Sequence, residues 1–115
     1  MATIEECRAA LTRLSDNMRH AEGDVRAAAA MDRSVSCRIT DLDMTFVGRL
    51  TGGRIEVHDT LKGPPREKAQ LRLALRGDDL LALVDGELHF ARVWASGRVK
   101  LEAGLRDLFH LRKLL

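Results

Sequence analysis

Apolar residues at the start of the chain fall three and four apart, at Ile4, Cys7, Leu11, Leu14, Met18 and Ala21. That spacing lines one face of a helix. Thr3 and Glu6 precede the run as T-x-x-E, a pattern in which each side chain caps the other's backbone N–H. The stripe is too short for a coiled coil, so it predicts a helix that packs on its own domain. Gly23-Asp24 interrupts the pattern, and Asp24 is placed to cap a short alanine-rich helix over residues 25–31. After Arg33 the period changes to two. Val35, Cys37 and Ile39 alternate with Ser34, Ser36, Arg38 and Thr40, which predicts a half-buried strand. A turn follows at Asp41-Leu42-Asp43, then a second strand with Met44, Phe46 and Leu50 on one face. Thr51-Gly52-Gly53-Arg54 predicts a hairpin turn into a third strand carrying Ile55 and Val57. Residues 60–69, with Gly63-Pro64-Pro65, predict a polar loop.

In the second half, Leu71, Leu73 and Leu75 alternate with Gln70, Arg72, Ala74 and Arg76 as a fourth strand. Gly77-Asp78 ends it, with Asp78 predicted to cap a helix through Leu80, Leu81, Leu83 and Val84, and Gly86 to close that helix at C′. A short helix is predicted over residues 88–96 before Gly97. Val99, Leu101 and Ala103 alternate as a fifth strand, and residues 105–115 form a last helix. This order predicts an α+β fold: one domain over residues 1–115, a five-stranded, mostly antiparallel sheet covered by helices on one face. Arg38, Arg49, Arg72, Arg76 and Lys100 fall on the other face, which is expected to meet water or a partner.

Composition narrows the function. The chain has 115 residues, 45% of them hydrophobic and 31% charged, with a net charge of +2. These values exclude a disordered tail, a fibre or a disulfide scaffold. The charge is too mild to predict nucleic-acid binding, and aromatics make up only 3%, few for stacking bases. No apolar run approaches the roughly 20 residues of a membrane span. The acidic start lacks a signal-peptide core, so a cytoplasmic protein is expected. Cys7 and Cys37 lie on apolar faces and read as buried thiols. His20, His58, His89 and His110 match no metal-ligand spacing. His58-Asp59 and His89 are the candidates for acid–base chemistry, but no nucleophile stands at a recognisable position. A helix cap and a turn account for Asp78-Asp79 and for Asp41 and Asp43. Gly52-Gly53 lacks the Gly-Lys-Ser/Thr of a phosphate loop. No catalytic residue, metal ligand or cofactor is predicted. What stands out is leucine-rich bulk with few polar handles, fit for a core or for the wall of an apolar cavity.

Asp79-Leu80-Leu81-Ala82-Leu83-Val84-Asp85-Gly86-Glu87-Leu88 is followed by Phe90-Ala91 and then by Trp94-Ala95-Ser96-Gly97-Arg98-Val99-Lys100-Leu101. An aliphatic helix, a glycine, a short amphipathic helix, a second glycine and a basic-apolar strand resemble the sterol carrier protein 2 family. The similarity is to its small, stand-alone bacterial type. It covers most of the chain and is sharpest over residues 71–111. No motif in it is catalytic. The chain finishes on Arg112-Lys113-Leu114-Leu115, without the Ser-Lys-Leu peroxisomal address of eukaryotic members.

The resemblance implies a non-enzymatic carrier that holds a fatty acid, acyl-CoA, sterol or similar lipid in a hydrophobic tunnel; Arg106, Arg112 and Lys113 of the last helix add an expected transient contact with an anionic membrane surface. Phe90, Val93 and Trp94 share one helix face. Core packing explains that spacing by itself, but the resemblance places the helix beside the tunnel. In the last helix Leu105, Leu108, Phe109, Leu111, Leu114 and Leu115 span more than half the circumference. That excess would meet a ligand, a partner or a membrane, or belong to an over-apolar terminal helix. The lipid-binding residues expected on this basis are Met44, Phe46, Leu80, Phe90, Val93, Trp94, Leu105, Leu108 and Phe109. Leu83, Val84, Leu88 and Leu101 are expected in the core. The alternative is an accessory module docking on a lipid-metabolising or biosynthetic enzyme through its last helix.

Overall fold

The computed structural model describes residues 2–19, 32–88 and 90–111, with the side chains of 17–19, 90–91 and 109–111 left aside. The predicted helix over residues 25–31 lies outside the described residues. Helix α1, Ile4–Arg19, opens on the predicted capping box. Thr3 N–H donates to Glu6 Oε1 at 3.0 Å and Glu6 N–H to Thr3 Oγ1 at 3.1 Å. Its apolar stripe buries Cys7, Ala10 and Leu11, with Ile4 and Leu14 packed at the margin. Ser15, also buried, accepts the Ile55 backbone N–H at 2.9 Å and so fastens the helix to the third strand.

The sheet contains β1 (Arg33–Ile39), β2 (Met44–Thr51), β3 (Arg54–Lys62), β4 (Leu71–Leu75) and β5 (Lys100–Ala103), in the order β3-β2-β1-β4-β5. β1 and β4 run parallel; the other neighbours are antiparallel. Cys37 lies opposite Phe46 on one side and Leu73 on the other, and Leu71 opposite Ala103. Most apolar positions of these strands therefore share one face, the face the helices cover, while Val47 and Leu61 lie on the other. Gly52 and Gly53, with φ of 60° and 76°, make the predicted hairpin turn. A bulge at Val47/Gly48 leaves His58 as the extra residue of β3. Gly48 permits it, because a Cβ there would collide with the Glu56 carbonyl.

The other face, expected to meet water or a partner, is in part covered by the chain itself. Ser36 and Thr45 lie on it, yet they are 2% and 0% exposed. The strand order explains this. The chain must cross β2 and β1 to pass from β3 to β4, and residues 63–70 do so over this face. Gly63 N–H donates to the Asp43 carbonyl at 2.6 Å, and Thr45 Oγ1 donates to the Gly63 carbonyl at 2.7 Å. At the other end, Gln70 N–H donates to Ser34 Oγ at 2.9 Å and Ser34 N–H to Gln70 Oε1 at 3.0 Å. Arg38 and Arg49 are held at the margins by Asp43 and Asp32.

Helix α2, Gly77–Val84, is capped differently from the sequence expectation. Asp78 sits inside the first turn and accepts the Ala2 N–H at 2.8 Å. The Gly77 N–H is taken instead by Asp41 Oδ1 at 2.9 Å, from the β1–β2 turn. A carboxylate brought close by the tertiary fold replaces the local cap. The far end is as predicted: Gly86 has φ 81°, its N–H reaches the Leu83 carbonyl and the Glu87 N–H reaches that of Ala82, the Schellman pattern. Helix α3, Phe90–Ala95, starts later than predicted. Val99 precedes β5 rather than joining it: it is fully buried and its N–H bonds the Val93 carbonyl at 3.1 Å. Helix α4 is Leu105–Leu111; residues 112–115 of the predicted helix lie outside the described residues.

Candidate functional site

The helix-side face of the sheet is packed in two ways. Over one end, Cys37, Ile39, Phe46 and Leu75 meet Cys7, Ala10 and Leu11 of α1, Leu80 of α2, Val93 of α3 and Val99, all buried. Burial pushes the Cys7 thiol up to about 11, helped by the negative charges of Asp41, Glu6 and Asp78. Burial likewise pushes Cys37 up to about 12, helped by Cys7. Both cysteines are free thiols held protonated, not nucleophiles.

Over the other end the described residues form a smaller apolar cluster. Of these, Leu50 and Leu71 are buried, with Val35, Ile55, Leu101 and Ala103 partly buried against them. Arg33 opens this end of β1, opposite Leu50. Its Nε donates to Asp107 Oδ2 of α4 at 3.0 Å, with the side chains 34% and 14% exposed. This ion pair reaches from β1 to a helix that otherwise follows β5. On α4 Leu108 is half-buried, while Leu105 is 74% exposed. This end thus gathers apolar side chains beside a short helix, to which the Arg33–Asp107 ion pair ties it.

The sequence-expected lipid residues divide between these regions. Phe46, Leu80 and Val93 come together in the closed core, with the Arg8 guanidinium 5.8 Å above the Phe46 ring. Met44, half-buried, stands opposite Ile39, at the closed end. Trp94 is half-buried on α3, and Leu105 and Leu108 lie on α4. The side chains of Phe90 and Phe109 are outside those described. Val35, Leu50, Ile55, Leu71, Leu101 and Ala103 were not anticipated as a group. Their alternation was readable; that they gather at one end of the sheet required the strand order.

The carboxylates considered for chemistry hold the fold. Asp41 and Asp78 make the bonds given above, and the buried Asp79 pairs with Arg98 at 2.6 Å. His58 is exposed, with Nε2 3.5 Å from Glu56 Oε2. His89 lies outside the described residues. Among the described residues no three His, Cys, Asp or Glu side chains gather as a metal site, and no helix is long and apolar enough to cross a membrane.

No family model and no curated protein matches the chain by sequence. Solved structures do. A crystal structure of sterol carrier protein 2 superposes with a TM-score of 0.62 at 15% identity, over 93% of this chain and 82% of that one. This chain has the sterol carrier protein 2 fold. The Aedes aegypti sterol carrier protein-2, solved in complex with palmitate, matches with a TM-score of 0.60 at 14% identity, over 99% of this chain and 96% of that one. A double mutant of the sec-alkyl sulfatase PisA1 matches at 0.59 and 18% identity, over 99% of this chain. This chain spans only 16% of that sulfatase. The sequence resemblance is therefore matched at the level of the fold.

Proposed function

We propose that this protein binds and carries a long-chain lipid, without catalysis, on the apolar end of its helix-side face around Leu50 and Leu71. That surface is the observation on which the reading rests: aliphatic side chains from all five strands, most of them partly buried, beside a helix tethered to β1 by an ion pair. The likeness to the palmitate-bound mosquito protein supports a fatty acid as the first ligand to test. In this reading Leu108 would cover the bound chain from α4, while Phe46, Leu80 and Val93 belong to the neighbouring core and Trp94 on α3 serves as a reporter. Burying about ten methylenes at ~0.8 kcal/mol each gives roughly 8 kcal/mol before ordering costs, a micromolar affinity at best. A surface without hydrogen-bonding groups discriminates chain lengths weakly. The exposed Leu105 and the neighbouring Arg106 suit α4 to transient contact with an anionic membrane. Titration with palmitate and shorter homologues tests the reading, with saturation in the micromolar range expected.

A second reading has its own support: the sulfatase carries this fold as a small part of a larger enzyme. There the apolar end would be a docking surface. Native mass spectrometry of protein purified from its own host separates the two, a retained lipid favouring the carrier.

A further inference from the structure

The outer face of the sheet, away from the helices, gathers cations around one small side chain. Ala74 of β4 stands opposite Arg38 of β1 and Lys100 of β5. Arg72 precedes it by two residues on the same strand. Arg76 follows it by two, on backbone that is still extended, with φ −78° and ψ 151°. Alternation sends these side chains to the same face. Neighbouring strands lie about 4.8 Å apart, and alternate residues of one strand about 6.7 Å apart. Long basic side chains at all four positions can therefore converge above Ala74. The half-buried alanine leaves there the room that a larger side chain would fill.

The charges around Ala74 are not balanced. Arg38 Nη2 donates to Asp43 Oδ1 at 2.7 Å, and Glu102 Oε2 stands 3.5 Å from Arg72 Nε. Arg76 and Lys100 are exposed and make no ion pair among the described residues. Asp41 and Asp78 turn to the helix side, where they accept the Gly77 and Ala2 N–H groups and their charges act on the buried Cys7. Arg38, Arg72, Arg76 and Lys100 thus face Asp43 and Glu102, four cations against two carboxylates, with an excess of two positive charges. The guanidinium donors are not all used either. Arg38 Nη1 and Arg72 Nε are enclosed without a hydrogen-bond partner among the described residues, which costs free energy. A phosphate monoester answers both features, because it carries nearly two negative charges and three acceptor oxygens, which guanidinium groups bind in pairs. A monocarboxylate brings half the charge and fewer acceptors.

We propose that Ala74 is the floor of a phosphate-binding site, in which Arg38, Arg72, Arg76 and Lys100 hold the phosphate of a monoester. The site lies on the opposite side of the sheet from the lipid surface and stands whether or not that surface carries lipid. The test is NMR titration of the full chain with glycerol phosphate at constant ionic strength, with acetate as the monoanionic control. Saturable shifts at the amides of Arg38, Ala74 and Lys100 are expected with glycerol phosphate, and binding at least tenfold weaker with acetate. The Arg76→Gln, Lys100→Gln double variant leaves the pairs with Asp43 and Glu102 in place and should weaken phosphate binding at least tenfold. Ala74→Leu should weaken it with every charge kept, while Arg13→Gln on the helix side leaves it unchanged. Sedimentation with phosphatidate vesicles, against phosphatidylcholine vesicles, separates the two sources of such a group. Retention of the wild type that the double variant loses identifies a lipid headgroup; shifts with glycerol phosphate and no retention identify a soluble monoester. No saturable shift at these residues, equal binding of acetate, or full binding by the double variant would overturn the proposal.

Discussion

Replacing Asp107 by Asn removes one charge from the tie between α4 and β1 and leaves the side chain's shape nearly intact. At 3.0 Å, with side chains 34% and 14% exposed, the pair is neither free in water nor fully enclosed. An exposed pair contributes about 0.2–1 kcal/mol net, and a hydrogen bond to a charged group about 1.5–3 kcal/mol. An intermediate value of about 1 kcal/mol is reasonable here, and it corresponds to roughly a fivefold change in an equilibrium. If α4 closes the lipid surface, Asp107→Asn should raise the population of the open form about that much and speed release of a bound fluorescent fatty acid roughly fivefold. Melting temperature should fall only slightly. Salt should speed release from wild type and have little effect on the variant, because the attraction it screens is gone. Exchanging the partners, Arg33→Asp with Asp107→Arg, should restore slow release. The assay is stopped-flow transfer to acceptor vesicles at varied salt. Release from Asp107→Asn at the wild-type rate, with wild-type salt dependence, would show that α4 does not close the lipid surface.

Three further outcomes follow from the geometry. Cys7 and Cys37 titrate higher in the folded chain than in the unfolded one, so the native state keeps protons that the unfolded state loses. Stability should be full below about pH 9 and fall as pH rises toward 11 and 12. For Cys7 that loss is about 3 kcal/mol at most, and urea midpoints of wild type and Cys7→Ala at rising pH should show the variant's slope flattened. Gly48→Ala sets a methyl group against the Glu56 carbonyl and should destabilise by about 2 kcal/mol or more, read by denaturant unfolding. Trp94, the single tryptophan, should change its emission on lipid addition. A lipid that binds without any such change would place α3 away from the bound chain.

Local signals were legible in the sequence because their partners are neighbours in the chain. Thr3 and Glu6 cap each other across one turn, Gly86 closes α2 within a few residues, and Gly52-Gly53 turns a hairpin between adjacent strands. Features that failed to show depend on distant contacts. Asp41 supplies the α2 cap because β1 and β4 are parallel neighbours, which no local pattern reveals. Ser36, a polar alternate of its strand, and Thr45 are both buried, because the strand order sends residues 63–70 across them. The site suffers the same limit. Phe46 and Leu50 obey one alternation, yet Phe46 belongs to the closed core and Leu50 to the smaller cluster. Period two gives the face of the sheet and not the position along it.

The central claim is that the end of the helix-side face around Leu50 and Leu71 takes a lipid chain. Amide NMR of the isotopically labelled protein, titrated with a long-chain fatty acid, tests it most directly. Saturable shifts at micromolar concentrations are expected, concentrated at Val35, Leu50, Ile55, Leu71, Leu101 and Leu108, with those at Val47 and Leu61 on the opposite face small. No saturable shift, or saturable shifts confined to the opposite face, would contradict it.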